Sequence, residues 1–227
     1  MNKISFIDLK TQYSVIEKDI KNSISNVLES GQFILGPIVE QAELLLSKYT
    51  EAKNTITVSS GTDALFVSLL ALNIGPGSKV FLPSFTYTAT AEVIALLKAT
   101  PVFVDVDDST YNISPSDLDL KINSYKKSEL ENSAVIAVDL FGQPADYKRL
   151  KKITDAYDLH LISDAAQSFG GTIDNTKVGK LAPITTTSFY PTKPLSCYGD
   201  GGAIFTDNND IAEKIKSIRS HGISNDP

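Results

Sequence analysis

Cysteine occurs once, at Cys197, in a chain of 227 residues. A single thiol excludes an internal disulfide and predicts a reducing compartment. Histidine occurs twice, at His160 and His221. With Cys197 these are the soft ligands of the chain, far apart and without ligand spacing, so no metal site is expected. No block of basic residues occurs, and the net charge is -6, which argues against nucleic acid as a partner. No apolar run approaches the length of a membrane span, and the first residues lack the apolar core of a signal peptide. The expected setting is therefore the cytoplasm, with no membrane partner. Neither a G-x-G-x-x-G nor a Walker A loop is present, so a dinucleotide or ATP site has little support. Internal repeats and low-complexity segments are also missing.

What is present is a regular alternation. Apolar residues make up 42%, enough for the core of one large domain. Short apolar runs read as strands at 55–60, 79–83, 101–106, 134–140, 160–163, 186–190 and 202–206. Helical spacing falls between them, at about 63–72, 90–98, 146–157 and 210–219. Strand–helix alternation with strands apolar on both sides predicts an α/β domain, its mostly parallel central sheet sandwiched by helices. Ligands of such sheets bind at the carboxyl ends of strands. Ser60, Ser84, Asp164 and Ser188 fall at or near such ends. The first ~50 residues differ, with an amphipathic helix at about 12–29, the stretch Gly31-Gln32-Phe33-Ile34-Leu35-Gly36-Pro37 and a second helix. The expected organisation is an arm at 1–50, packing on something else such as a second subunit, and a main domain at 51–227.

The run from Ser188 to Gly202 is the most informative. Lys193 stands between two prolines and ahead of the turn Gly199-Asp200-Gly201-Gly202. A solvated lysine needs no such fixed backbone, whereas burial would lower its pKa and make it a better imine former. Asp164 ends the apolar run that begins at His160. A carboxylate there costs desolvation unless a cation or hydrogen bonds meet it, and a protonated pyridine nitrogen would do so. A plain helix N-cap is the alternative. Together the two suggest a lysine that forms a Schiff base and an aspartate that holds a pyridinium nitrogen, the pairing by which proteins handle pyridoxal 5'-phosphate, PLP.

Other residues carry two readings each. Ser60-Gly61-Thr62-Asp63 joins a strand to a helix. Helix-start N–H groups with Gly61 could admit a phosphate and Thr62 adds a hydroxyl, or the segment is an ordinary capped turn. Tyr87 could lie flat on a cofactor ring or be a loop aromatic. Gln167 could donate to a ring oxygen or be a surface amide. Ser188 could bond a phosphate or be a buried strand serine. Cys197 reads as a packing residue, with no histidine near it in sequence.

Five ordered motifs resemble the DegT/StrS family of PLP-dependent sugar aminotransferases. They are Phe33-Ile34-Leu35-Gly36-Pro37, Ser60-Gly61-Thr62-Asp63-Ala64, Pro83-Ser84-Phe85-Thr86-Tyr87-Thr88-Ala89-Thr90-Ala91, Asp164-Ala165-Ala166-Gln167, and Ser188-Phe189-Tyr190-Pro191-Thr192-Lys193-Pro194, which runs on to Gly202. The chain is most similar to members acting on UDP-2-acetamido-2-deoxy-3-oxo-glucuronate. The resemblance implies the large domain of the PLP-dependent transferase fold type I, a cytoplasmic homodimer, and PLP as cofactor. It implies transamination of a nucleotide-linked keto-sugar, here a UDP-3-keto-sugar, with glutamate as donor, in bacterial surface polysaccharide or amino-sugar biosynthesis. By the same resemblance Lys193 carries the cofactor and shuttles the proton, and Asp164 holds the ring nitrogen. Gln167 sits on the ring-hydroxyl side, Tyr87 stacks on the ring, and Gly61, Thr62 and Ser188 hold the phosphate. Family members continue beyond the position of Pro227 into a smaller C-terminal domain, so a fragment of a longer chain is expected. A 4-keto-sugar aminotransferase and a non-catalytic or truncated protein of the same fold are the alternatives. Lys193 speaks against the related sugar dehydratases, which have histidine at that position.

Overall fold

The computed structural model describes residues 6–223. Its internal contacts divide the chain at residues 45 and 46 into two units. In the first unit α1 (Leu9–Ser30) begins at Asp8, whose side chain accepts from the Thr11 N–H, and stops at Gly31 in the left-handed conformation (φ 67). Asx capping and a left-handed glycine at the end are the standard devices for satisfying free helix termini. No residue of α1 is buried; Val15, Ile24 and Leu28 are exposed. Next, α2 (Pro37–Thr50), whose residues from Leu46 on count with the second unit, starts on a proline, whose missing N–H costs nothing in the first turn.

The second unit is built from β1 (Asn54–Val58), α3 (Gly61–Ala71), β2 (Lys79–Pro83), α4 (Ala89–Leu96) and β3 (Thr100–Val104). It continues with α5 (Pro115–Ile122), β4 (Ala134–Val138), α6 (Tyr147–Tyr157), β5 (His160–Asp164) and a hairpin of β6 (Thr172–Ile173) and β7 (Thr176–Lys177). Then come β8 (Ile184–Ser188), β9 (Gly202–Thr206) and α7 (Asn209–Arg219). Seven strands form one sheet in the order β1-β9-β8-β5-β4-β2-β3. The pairs from β8 through β5, β4 and β2 to β3 are parallel. Strand β9 alone is reversed, antiparallel to both β8 and β1. The expected α/β architecture with a mostly parallel sheet is what the chain adopts.

Alternate strand residues face opposite sides, and both sides are apolar. Val80, Leu82, Ile136, Ile162, Ile184 and Ile204 pack with residues of α3, α4 and α7, among them Leu65, Leu69, Ile94 and Ile215. Phe81, Val135, Ala137 and Leu161 pack with Leu118 and Ile122 of α5 and Leu150 of α6. Helix α3 is buried nearly all round, which accounts for its lack of a polar face. Among the described residues no helix is long and apolar enough to cross a membrane.

Two elements were not expected. Helix α5 has only 8 residues, but Ser114 caps it, Pro115 opens it and Leu118 and Ile122 are buried one turn apart. Burying two such side chains contributes about 1.5–3 kcal/mol each, more than a short helix lacks by itself. The β6–β7 hairpin turns on Asp174 (φ 47) and Asn175 (φ 63), a left-handed pair that matches the twist of a two-residue hairpin. Strand ends also moved: β4 stops at Val138 and β8 at Ser188, because turns 139–142 and 189–193 take over there.

The reversed β9 brings its first residue to the edge where the parallel strands end. A side chain at Gly202 would lie 2.5 Å from the Ser60 carbonyl oxygen and 2.8 Å from that of Thr187. Both obstacles are backbone, so neither can turn away. Gly202→Ala is expected to lower unfolding free energy by about 1–3 kcal/mol, read as an earlier urea midpoint with unchanged slope. An unchanged midpoint would mean that β9 does not press on the Ser60 turn.

Candidate active site

A cavity of about 500 Å³ opens at the carboxyl edge of the sheet, a size suited to a small organic ligand. Gly61, Thr62, Tyr87, Asp164, Gln167, Ser188 and Lys193 all line it, so the structure brings the seven candidate residues to one place. Ser60, Thr86, Tyr190, Thr192 and Asp200 line it as well. Ser60 was noted at a strand end, whereas sequence reasoning gave the other four no role, although all lie within the motifs it quoted.

The first wall is the start of α3. Ser60 adopts extended backbone and its hydroxyl accepts from the Asp63 N–H at 3.0 Å. The outermost N–H groups of a helix have no partner within the helix. Here they belong to Gly61 and Thr62, at the cavity. Gly61 sits tightly on Ser188: a side chain there would be 2.6 Å from the Ser188 Cβ. Glycine is thus needed for this approach, and it sets the Ser188 hydroxyl beside the helix terminus. That hydroxyl accepts from the Tyr190 N–H at 3.2 Å, which leaves its own proton free to donate.

The second wall is the segment after β5. Asp164 ends the strand and is half-buried. Its Oδ1 accepts from the Ala166 N–H at 3.1 Å. Burial pushes its carboxyl above the ordinary value; the Ala166 bond and the charge of Lys193 act against this. No salt bridge to Asp164 is present among the described residues, so the carboxylate is under-compensated. Gln167 accepts the Phe141 N–H at its Oε1, 3.2 Å away. Its amide NH2 is therefore the group left to donate.

The third wall is the loop 189–201. Pro191 and Thr192 form the corner of a turn closed by the Lys193 N–H on the Tyr190 carbonyl at 2.8 Å. The loop is tied at its base by Phe189 N–H to Gly201 O and by Cys197 N–H to Phe189 O, both 2.8 Å. Lys193 is half-buried, not extended into solvent. Tyr87 is 76% exposed, so its ring has an uncovered face. Cys197 donates to the Gly199 carbonyl, and burial raises its thiol pKa, which suits a packing role.

Behind the cavity lies a carboxylate that sequence reasoning missed. Asp139 is fully buried. It accepts from Ala145 N–H (2.9 Å), Tyr147 Oη (2.5 Å) and Ser168 Oγ (2.6 Å). Tyr147 Oη also lies 2.6 Å from Ser163 Oγ. Burial raises the Asp139 carboxyl to about 6, the three hydrogen bonds hold it down, and neighbouring Asp164 pushes it further up. A folded-state value above the unfolded one of about 3.9 means that the native chain binds the extra proton. That stabilisation is complete below about pH 4 and is lost as pH rises through about 6. Asp139→Asn, neutral throughout, is expected to remove this slope. Its stability relative to wild type should rise by up to about 3 kcal/mol between pH 4 and pH 7. Parallel urea-midpoint curves for the two proteins would contradict it.

The family model described as the DegT/DnrJ/EryC1/StrS aminotransferase family matches residues 14–227. Among curated proteins, UDP-2-acetamido-2-deoxy-3-oxo-D-glucuronate aminotransferase of Pseudomonas aeruginosa is 46% identical, over 96% of this chain and 59% of that protein. The dTDP-3-amino-3,4,6-trideoxy-alpha-D-glucose transaminase of Streptomyces venezuelae is 34% identical, over 97% of this chain and 56% of the other. A DegT DnrJ EryC1 StrS aminotransferase structure from Brucella abortus superposes with a TM-score of 0.91 at 45% identity, covering 95% of this chain and 58% of that one. NtdA of Bacillus subtilis, solved with bound cofactor PMP, gives 0.89 at 33% identity, with 100% and 50% covered. The chain spans less than two thirds of the length of each of these relatives.

Proposed function

The chain belongs to the DegT/DnrJ/EryC1/StrS aminotransferase family, and on that premise we propose that it carries the PLP site of a transaminase acting on a nucleotide-linked keto-sugar. The observation that carries the reading is the meeting of Lys193, the under-compensated Asp164 and the N-terminus of α3 around one cavity. These groups fit a planar phosphate ester with a basic ring nitrogen. The N–H groups of Gly61 and Thr62 and the Ser188 hydroxyl suit the phosphate. Asp164 suits the protonated nitrogen, the Gln167 amide a ring oxygen, and the uncovered face of Tyr87 the ring itself.

Bound there, PLP supplies an electron sink and stores the amino group between two half-reactions. The chain's own residues do the rest. Asp164 keeps positive charge at the ring nitrogen, because a carboxylate so placed favours the protonated base. Lys193 Nζ takes a proton from the donor's Cα and returns it, a task for an amine that can shed its charge. The Pro191-Thr192 turn, closed by the Lys193 N–H on the Tyr190 carbonyl, fixes the backbone that carries this amine at the cavity, so less freedom is lost in the reacting geometry.

The substrate reading is a UDP-3-keto-sugar with glutamate as amino donor, in surface polysaccharide or amino-sugar biosynthesis. The UDP-3-keto-sugar part of it is supported by the name of the Pseudomonas aeruginosa relative at 46% identity, an aminotransferase of a UDP-linked 3-oxo-glucuronate. We assign the PLP-binding domain to 51–227 and the arm to 1–50. A cytoplasmic homodimer completes the reading, a second copy covering the exposed Val15, Ile24 and Leu28 of the arm.

The test is to add PLP, reduce with borohydride and map the modified peptide by mass spectrometry. A phosphopyridoxyl mass confined to Lys193 is expected. Label scattered over exposed lysines, or none, would turn the reading towards a non-catalytic protein of this fold.

A further inference from the structure

The turn after β4 and the segment after β5 are joined by more than the sheet. The Asp139 N–H donates to the Asp164 carbonyl at 3.0 Å. The Ser168 hydroxyl donates to Asp139 Oδ2 at 2.6 Å, and the Phe141 N–H to Gln167 Oε1 at 3.2 Å. So residues 139–141 grip residues 164–168 at both ends and at Gln167 between. The gripping turn is itself pinned. Ala145 N–H and Tyr147 Oη hold the other carboxylate oxygen of Asp139. Buried Asn112 donates to the Gln143 carbonyl at 2.9 Å and accepts from the Leu140 N–H at 3.0 Å. Phe141 stands in the left-handed region at φ 56, a conformation unfavourable for a bulky residue and one that its surroundings must hold.

A buried carboxylate without a cation is an expensive way to fill space. Apolar packing would be as stable or more so. What a saturated polar network adds is a unique arrangement, since each bond is directional and each lost bond is costly. The three bonds of the Asp139 side chain lead to three separate places: the start of α6, the turn before it, and Ser168. None of them reaches the cavity, whereas Asp164, Ala166 and Gln167 of the gripped segment all line it.

We propose that Asp139 is a positioning residue for the cavity, acting through Ser168 and the 139–141 turn to hold Asp164 and Gln167 in their cavity-facing geometry. The proposal rests on the PLP reading for what the geometry serves, but the grip can be measured without cofactor. Two amides report it directly: Ala166 N–H, bonded to Asp164 Oδ1, and Phe141 N–H, bonded to Gln167 Oε1.

The experiment is amide exchange by NMR on the labelled 227-residue chain, comparing wild type, Asp139→Ala, Asp139→Asn and Ser168→Ala. In the alanine variants exchange at Ala166 and Phe141 is expected to accelerate by about tenfold or more, with Ile136 and Ile162 in the strands unchanged. Asparagine keeps an acceptor for Ala145 and Tyr147 and can donate to Ser168, so it should restore most of the protection. PLP affinity, titrated by absorbance, should fall about tenfold in the alanine variants and recover in Asp139→Asn. Wild-type exchange at Ala166 and Phe141 in Ser168→Ala would overturn the proposal. So would acceleration spread evenly over both strands, or no recovery with asparagine. If Asp139→Ala does not fold, Ser168→Ala decides the matter. A wild-type chain that takes up no PLP would count against the functional reading, while the exchange rates would still judge the grip.

Discussion

Lys193→Ala is expected, on the proposed reading, to reduce transamination by at least about 10³-fold, because the variant would lose both the amine proposed to carry the cofactor and the base proposed to move the proton. The measurement is 2-oxoglutarate released from glutamate with a UDP-3-keto-sugar as acceptor, alongside a thermal melt. The melt should barely change. Lys193 lies on the loop 189–201, makes no salt bridge among those described, and the loop is closed by backbone bonds that alanine keeps. Lys193→Arg should fail almost as completely, since a guanidinium retains charge and proton at any working pH. That pairing separates chemistry from charge: arginine preserves the attraction for Asp164 that lowers its pKa, yet cannot accept a proton. Turnover within about tenfold of wild type in either variant would remove Lys193 from the reaction.

Asp164→Asn should move stability and function in opposite directions. Without cofactor the carboxylate is a burden, because burial raises its pKa and one backbone N–H is the hydrogen-bond donor that meets it. Asparagine keeps an oxygen for the Ala166 N–H and carries no charge, so the cofactor-free variant should be as stable as wild type at pH 7, or more so. PLP binding should nonetheless weaken by about 10²-fold or more, in line with the 3–5 kcal/mol at stake when one partner of a buried ion pair is removed. Turnover should fall further, since a ring nitrogen without its carboxylate is a poorer sink. Urea melts of the unliganded protein and an absorbance titration with PLP check both halves. A variant that loses stability and keeps its affinity would show that Asp164 serves the fold instead of the ring.

These expectations share a cause. The chain places an under-compensated carboxylate, Asp164, where its own packing does not need it, and a bound pyridinium nitrogen would relieve it. The Asp139 network lies a step further back. It is fully satisfied, so what it contributes is placement, and its titration near pH 6 reflects burial, with a smaller push from Asp164, against its hydrogen bonds.

Much of this was legible in the sequence because the signals were local. Strand β2 was bounded correctly from Lys79-Val80-Phe81-Leu82-Pro83, as was β9, since β-branched and aromatic residues between turn formers leave little choice. The candidate site residues were legible for a similar reason: in a parallel sheet the ends of strands share one edge, so Ser60, Asp164 and Ser188 had to be neighbours. Helix α5 could have been read from Ser114-Pro115 with Leu118 and Ile122, and the hairpin from Asp174-Asn175, but both are too short to dominate a periodicity. Tertiary structure alone decided the reversal of β9, the contact of Gly202 with Ser60, and the joining of Asp139 to Ser168 across 29 positions. The division has a physical basis. Propensity, capping and apolar period act within a few residues and are written along the chain. Strand direction, close backbone approach and the partners of a buried carboxylate depend on which segments meet, and only the packing of the whole sheet settles that.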